Sequence, residues 1–326
     1  MPHSPTWRAR VILAALLVTA AQLAHGATAG AVTTSTALST SRLAFDSNRT
    51  GTWQVFTENL DGSSSTQLTR DPAYDSWWPK ISPDRTHVLF YRTPAGTHDT
   101  DFTQTSLWVM DSTGGGVRRL LAAGAYGWAL QGHAEWSPDG AHLVMFAGSS
   151  SSPQIVVTAA DGTNPRVVRH REGSNLDPSW SPDGSRLLFV GCPGQVCLDS
   201  QYEVFSLRTD GTDERQLTSD AVRDHDPYFS PDGATVAWLR QTPDRSWSIF
   251  AMHADGGSKR AVVSDGIITS KPAWSLDGSR LYFHRLDPGL LRVSYALYTA
   301  RLDGSGLTRL GPAQQTSDEY PVASSR

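Results

Sequence analysis

Short apolar runs recur along this chain at residues 87–91, 142–146, 186–190, 235–239 and 280–284. Runs of this length, almost continuous in apolar side chains, predict β-strands covered on both faces. A further set follows at 107–110, 154–157, 202–205, 248–251 and 296–299. Asp161-Gly162, Asp210-Gly211, Asp255-Gly256 and Asp303-Gly304 come next, with Thr113-Gly114-Gly115 in the corresponding place of an earlier unit. Asp-Gly between two strands predicts a tight hairpin, because glycine takes positive φ without a steric penalty. A last strand, such as 215–218 or 307–310, closes each unit.

Each apolar run follows one short phrase. It reads Ser82-Pro83-Asp84, Ser137-Pro138-Asp139-Gly140, Ser181-Pro182-Asp183-Gly184, Ser230-Pro231-Asp232-Gly233 and Ser275-Leu276-Asp277-Gly278. The serines stand 55, 44, 49 and 45 residues apart. That period is too long for a helical hairpin repeat and matches one four-stranded propeller blade. The phrase itself reads as a turn, with proline presetting φ and aspartate bonding backbone N–H groups. Ile81, Trp136, Trp180, Phe229 and Trp274 precede the serines, and bulky residues at that place are expected to pack between blades.

The two ends of the chain complete the count. Residues 42–45, 54–57 and 67–69, with Asp61-Gly62, supply strands two to four of a blade that lacks its first strand. Glu319-Tyr320-Pro321-Val322-Ala323-Ser324 repeats the first-strand phrase. Residues 321–324 are therefore expected beside 42–45, which removes the open sheet edge. The expectation is an all-β, six-bladed β-propeller over 42–326, with the C-terminal strand closing the N-terminal blade.

Composition and targeting signals narrow the setting. Arg8 and Arg10 precede an apolar stretch at 11–23 and then small residues, the pattern of a secretory signal peptide. A leader over 1–26 and a Ser/Thr/Ala-rich linker over 27–41 are expected. The product would be secreted or periplasmic, without stable membrane insertion after cleavage. Net charge is −4, from 28 basic and 32 acidic residues with no basic block, so there is no electrostatic footprint for nucleic acid. Cys192 and Cys197 flank a Pro-Gly loop, and in an exported chain a local disulfide is expected. A monomer is expected.

The phrases 43–49 (Leu-Ala-Phe-Asp-Ser-Asn-Arg), Gln54-Val55-Phe56, Asp61-Gly62-Ser63 and Gln67-Leu68-Thr69 resemble the opening blade of TolB-type propellers, whose repeats are WD40-like. Residues 177–187 are similar to that family's repeat phrase. The resemblance covers nearly everything from Arg42 to Ser324. It implies the propeller fold and an exported, partner-binding role. TolB carries an α/β domain before its propeller, whereas only the linker separates leader and first blade here. The repeat also resembles the propellers of S9 peptidases and oligogalacturonate lyases.

Function is expected on the face carrying the variable loops, since binding residues concentrate on loops held by a rigid scaffold. Insertions at 93–105, 191–200 and 286–292 join the loops 71–78 and 121–132 there. Asp75, His133, Asp177, Asp226, Lys271 and Glu319 are read as entering the first strands, and so as a mostly acidic channel mouth with one cation. Such a mouth suits a cation or a basic peptide. Loop capping by each aspartate is the competing structural explanation. No cofactor is called for, with Ca²⁺ the ion that channel oxygens would suit. The chain has no G-x-S-x-G, H-E-x-x-H or G-x-x-x-x-G-K-[ST] motif,. The favoured reading is a non-catalytic propeller binding a protein or peptide partner. The alternative is a carbohydrate-active enzyme, hydrolase or lyase, using channel carboxylates or His133.

Overall fold

The structure is a computed structural model that describes residues 42–59, 63–169, 173–192, 202–220, 222–286, 295–310 and, by backbone, 318–322. The leader, the linker, Cys197 and most of the insertions after 192 and 286 lie outside the described residues. Six four-stranded antiparallel sheets are arranged as blades. Blade one holds β1 (Arg42–Thr50), β2 (Thr52–Asn59) and β3 (Thr66–Gln67). Blade two is β4 (Tyr74–Ile81), β5 (His87–Pro94), β6 (Ser106–Asp111) and β7 (Arg118–Leu121). Blade three is β8 (Leu130–Trp136), β9 (His142–Gly148), β10 (Pro153–Ala159) and β11 (Arg166–Val167). Blade four is β12 (Asn175–Trp180), β13 (Arg186–Gly191), β14 (Glu203–Arg208) and β15 (Arg215–Gln216). Blade five is β16 (Asp224–Phe229), β17 (Thr235–Gln241), β18 (Trp247–His253) and β19 (Arg260–Val263). Blade six is β20 (Thr269–Trp274), β21 (Arg280–Leu286), β22 (Tyr295–Arg301) and β23 (Thr308–Arg309).

The final strand, β24 (Asp318–Val322), completes blade one by pairing with β1. Its register sets Val322 opposite Ala44 and Glu319 opposite Asp46. The paired segment therefore begins at 318, three residues before the 321 expected from sequence. The C-terminal strand thus covers the edge of β1 that would otherwise stand open,.

The repeated phrase is a hydrogen-bonded turn. Each serine Oγ donates to the aspartate two residues on, at 2.5–2.6 Å in all five copies. The same Oγ accepts the N–H five residues on, as from His142 and Arg186. These donors hold the aspartates below the usual carboxylate range, as at Asp139 and Asp232. Three tryptophans before the serines reach across to the preceding blade: Trp136 donates to the Lys80 carbonyl, Trp180 to Glu135 and Trp274 to Tyr228. The Asp-Gly turns also serve contacts between blades. A Cβ on Gly211 or Gly304 would lie 2.6 Å from the Val168 or Val262 carbonyl oxygen of the blade before.

Apolar burial is organised by seams between blades rather than by one central core. One apolar cluster lies between each pair of neighbouring blades. Among the described residues the seam joining blades six and one is the smallest, built on Leu43, Tyr282 and Leu297. Hydrophobic stabilisation scales with apolar area buried, so this seam depends most on the β24 ladder. Removing residues 318–326 is expected to lower the melting temperature by more than about 5 °C, with hydrogen exchange rising first in β1 and β22. An unchanged melting temperature would contradict closure by β24.

Candidate functional site

The first strand of each blade is distorted at one place. Register slips between Trp77 and Lys80 in β4, Gly132 and Glu135 in β8, and Leu176 and Ser179 in β12. It slips again between His225 and Tyr228 in β16 and between Ser270 and Ala273 in β20. In each bulge one residue has positive φ: Trp78 (55°), His133 (53°), Asp177 (50°), Asp226 (50°) and Lys271 (25°). Bulges re-aim side chains and leave an N–H outside the ladder. The next residue is Pro79, Pro178, Pro227 or Pro272, which has no N–H to leave unpaired. Blade three has Ala134 instead, and its N–H donates to the Tyr91 hydroxyl at 3.0 Å.

These bulges bring five side chains from five blades into one cluster. His133 stacks on the Trp78 indole, centroids 4.0 Å apart and 12° from parallel. Its Nδ1 lies 2.5 Å from Asp177 Oδ1. The other oxygen of Asp177 accepts from His225 Nδ1 at 2.6 Å and from the Asp226 N–H at 3.3 Å. The Lys271 ammonium lies 3.2 Å from Asp226 Oδ1 and 3.0 Å from the Trp78 ring centroid. Two residues further along, Lys80 pairs with Glu135, and the Tyr228 hydroxyl donates to the same carboxylate at 3.1 Å. The chain has only three lysines, Lys80, Lys259 and Lys271, and two of them are buried here.

Burial governs the electrostatics. It pushes His133 down to about 4, helped by the positive charge of Lys271 and opposed by Asp177. Burial raises Asp226 well above the usual carboxylate range, with Asp177 adding to the effect and Lys271 working against it. Burial would also raise Asp177, but its two histidine partners hold it well below that range. Lys80 is lowered by burial against the pull of Glu135. Burial thus keeps His133 uncharged at neutral pH, beside the Asp177 carboxylate,.

Asp75, expected in the ring, stands elsewhere. Asp75 lies three positions before the bulge residue Trp78. Its carboxylate accepts the N–H groups of Trp53, Gly96 and His98 at 3.0, 2.7 and 3.1 Å. It therefore ties the insertion after β5 to blade one. His98 Nε2 of that insertion donates to the buried Asp46 carboxylate at 2.8 Å, and its ring stacks on Trp53. Phe102 packs on Trp77, His133 and Phe146, so the insertion roofs the His133 side of the mouth. Glu319 sits opposite Asp46 in the ladder, and the place four before Ser324 belongs to Tyr320. Counting back four from each serine identifies Trp78 and Tyr320. Searching for carboxylates hides both.

His133, Asp177 and Asp226 offer donor atoms within 4.8 Å of one another. Ca²⁺ takes six to eight oxygens, and here Asp226 already carries the Lys271 ammonium while Asp177 is shared by two histidines. The donor set does not suit Ca²⁺ in this arrangement.

The family model for the TolB beta propeller domain matches residues 133–324, more than half of the 326 residues. The chain belongs to the TolB β-propeller family. A TolB homolog of Chlorobium luteolum is 31% identical over 155 residues, 46% of this chain and 31% of that protein. The curated relatives matched are covered over less than half of their own length. The crystal structure of TolB from Acinetobacter baumannii superposes with a TM-score of 0.71 at 15% identity, covering 88% of this chain and 67% of that one. Oligogalacturonate lyase from Vibrio parahaemolyticus has a TM-score of 0.56 at 15% identity, covering 83% and 74%. These last two likenesses establish the fold alone.

Two measurements probe this propeller's bulge ring. Tyr91→Phe should cost about 1–3 kcal/mol in urea unfolding, because it orphans the buried Ala134 N–H. In an Ala134→Pro background the same change should cost much less, and equal costs in both backgrounds would rule out the hydroxyl's role. The second concerns pH. His133 binds its proton at about 4 when folded and near 6.5 when unfolded. The unfolded chain thus takes up the proton first, and stability falls as pH drops from 6.5 towards 4. The loss should reach about 3 kcal/mol and be largely absent in His133→Gln. An identical pH profile for the variant would show that His133 is not held neutral.

Proposed function

We propose that this chain is an exported, non-catalytic propeller that binds a protein or peptide partner at its channel mouth. One observation carries the reading. The ionisable groups there pair with one another across blades, Asp177 with His133 and His225, Asp226 with Lys271, Lys80 with Glu135. Paired groups on a rigid ring offer complementarity to a surface, whereas the two-carboxylate sugar mechanism needs an acid and a base held apart on opposite sides of a bond. Membership in the TolB family and the anchored insertion at the rim support the same reading. Export by a leader over 1–26, a linker over 27–41 and a Cys192–Cys197 disulfide belong to this proposal. Cys192 is buried at the end of β13.

A second reading, a carbohydrate-active enzyme, is favoured by one feature. A neutral His133 stands beside the Asp177 carboxylate, and a carboxylate–imidazole pair is the arrangement of a general base. The two readings separate in one experiment. The exported chain, tagged at its C-terminus, is used to capture proteins from the envelope and medium of its host and is assayed on pectic and other polysaccharides. Binding predicts a partner lost on Trp78→Ala and no His133-dependent sugar cleavage. Cleavage abolished by His133→Ala, with no partner, would overturn the proposal. Mass spectrometry of the same material should give a mature terminus near residue 27 and joined cysteines, and an intact Met1 terminus would contradict export.

A further inference from the structure

Trp78, Asp226 and Asp177 make a wall with the chemistry of an ammonium receptor. An indole face attracts a cation through its quadrupole, more strongly when water is excluded. Asp226 supplies a carboxylate beside that face and Asp177 a second one next to it. The position is filled by the chain's own Lys271, whose nitrogen is 3.0 Å from the ring centroid and 3.2 Å from Asp226. Lys271 is 4% exposed. Its φ of 25° departs from the 50–55° of the four other bulge residues, so the backbone is strained where this side chain enters the wall. Composition adds an independent argument. With three lysines among 28 basic residues, arginine is the chain's general cation, yet an ammonium stands here. Elsewhere in the chain a ring and a carboxylate hold an arginine, as Trp238 and Asp224 hold Arg240, so the compact ammonium sets this place apart.

We propose that the channel mouth recognises a lysine side chain of the partner, and that Lys271 is an internal stand-in that keeps the receptor closed until the partner's lysine displaces it. The inference rests on the partner-binding reading but is tested without the partner. A receptor occupied by its own tethered cation binds outside cations weakly, in proportion to the fraction of time it is open. Lys271→Ala removes the stand-in and vacates its place between Trp78 and Asp226, with Lys80 remaining 4.8 Å from the same ring centroid and His133 stacked on the indole. Without Lys271 the buried Asp226 carboxyl loses its cationic partner, and an incoming ammonium restores that pairing,.

The probe is n-butylammonium, with n-butanol as the control, followed by the indole NMR signal of Trp78. Lys271→Ala should bind n-butylammonium at least about tenfold more tightly than the wild type does. Its melting temperature should rise with the amine and not with the alcohol. Adding Asp226→Asn should abolish the effect. If Lys271→Ala is too unstable to purify, refolding from urea with and without n-butylammonium decides, since a filled receptor favours the folded state. No response to the amine in either format overturns the proposal, as does equal binding by wild type and variant. A positive result with no partner captured would leave the receptor in place and count against the partner reading alone.

Discussion

A backbone distortion, repeated once per first strand, decides what the channel of this propeller presents. Without the bulges at Trp78, His133, Asp177, Asp226 and Lys271, strict alternation would decide which of these side chains faced the axis. The bulge turns each of them into one cluster, and the proline that follows removes the N–H the ladder can no longer use. Where proline is missing, Tyr91 supplies an acceptor to Ala134. The strain of positive φ at non-glycine residues persists only where surroundings over-determine it. Here the surroundings are the two neighbouring blades and the seams between them.

The cluster's electrostatics follow from that convergence. Asp177 and Asp226 come from adjacent blades, and burial side by side would hold at least one of them protonated. His133 and His225 share Asp177 and hold it ionised, while Lys271 pairs with Asp226 without overcoming the upward push of burial and Asp177. The mouth is thus a balanced polar network on an aromatic floor rather than the acidic ring that residue types alone suggest. Such a network is stable when complete and costly when one member is lost. That explains why removing a single partner is informative at this site.

The fold is legible in the sequence because its signals are local and repeated. Five copies of one turn phrase, its serine and aspartate bonded within two residues, are enough to count the blades. The orphan ends at Arg42 and Glu319 give closure, though the pairing starts three residues earlier than the phrase implies. The site is less legible for two physical reasons. Residue type puts the carboxylate of Asp75 in the ring, while the geometry follows spacing and selects Trp78. The pairs that set the chemistry, His225 with Asp177 and Lys80 with Glu135, join residues 48 and 55 positions apart. Nothing in local sequence announces which neighbours meet. The roof over His133 is likewise hidden, since anchoring by Asp75 and His98 is visible only once blades one and two are side by side.

The convergence of bulge residues on one point is most directly tested through the lysines. With three in the chain, lysine-selective isotope labelling gives three side-chain signal sets. The Lys271 ε-methylene protons should be displaced far upfield by the Trp78 ring current, and they should lose that displacement in Trp78→Leu. Lys259, exposed just before β19, should stay at the position of a free lysine. Three coincident signal sets at free-lysine positions would contradict the convergence, and with it the account of how the bulges build the channel mouth.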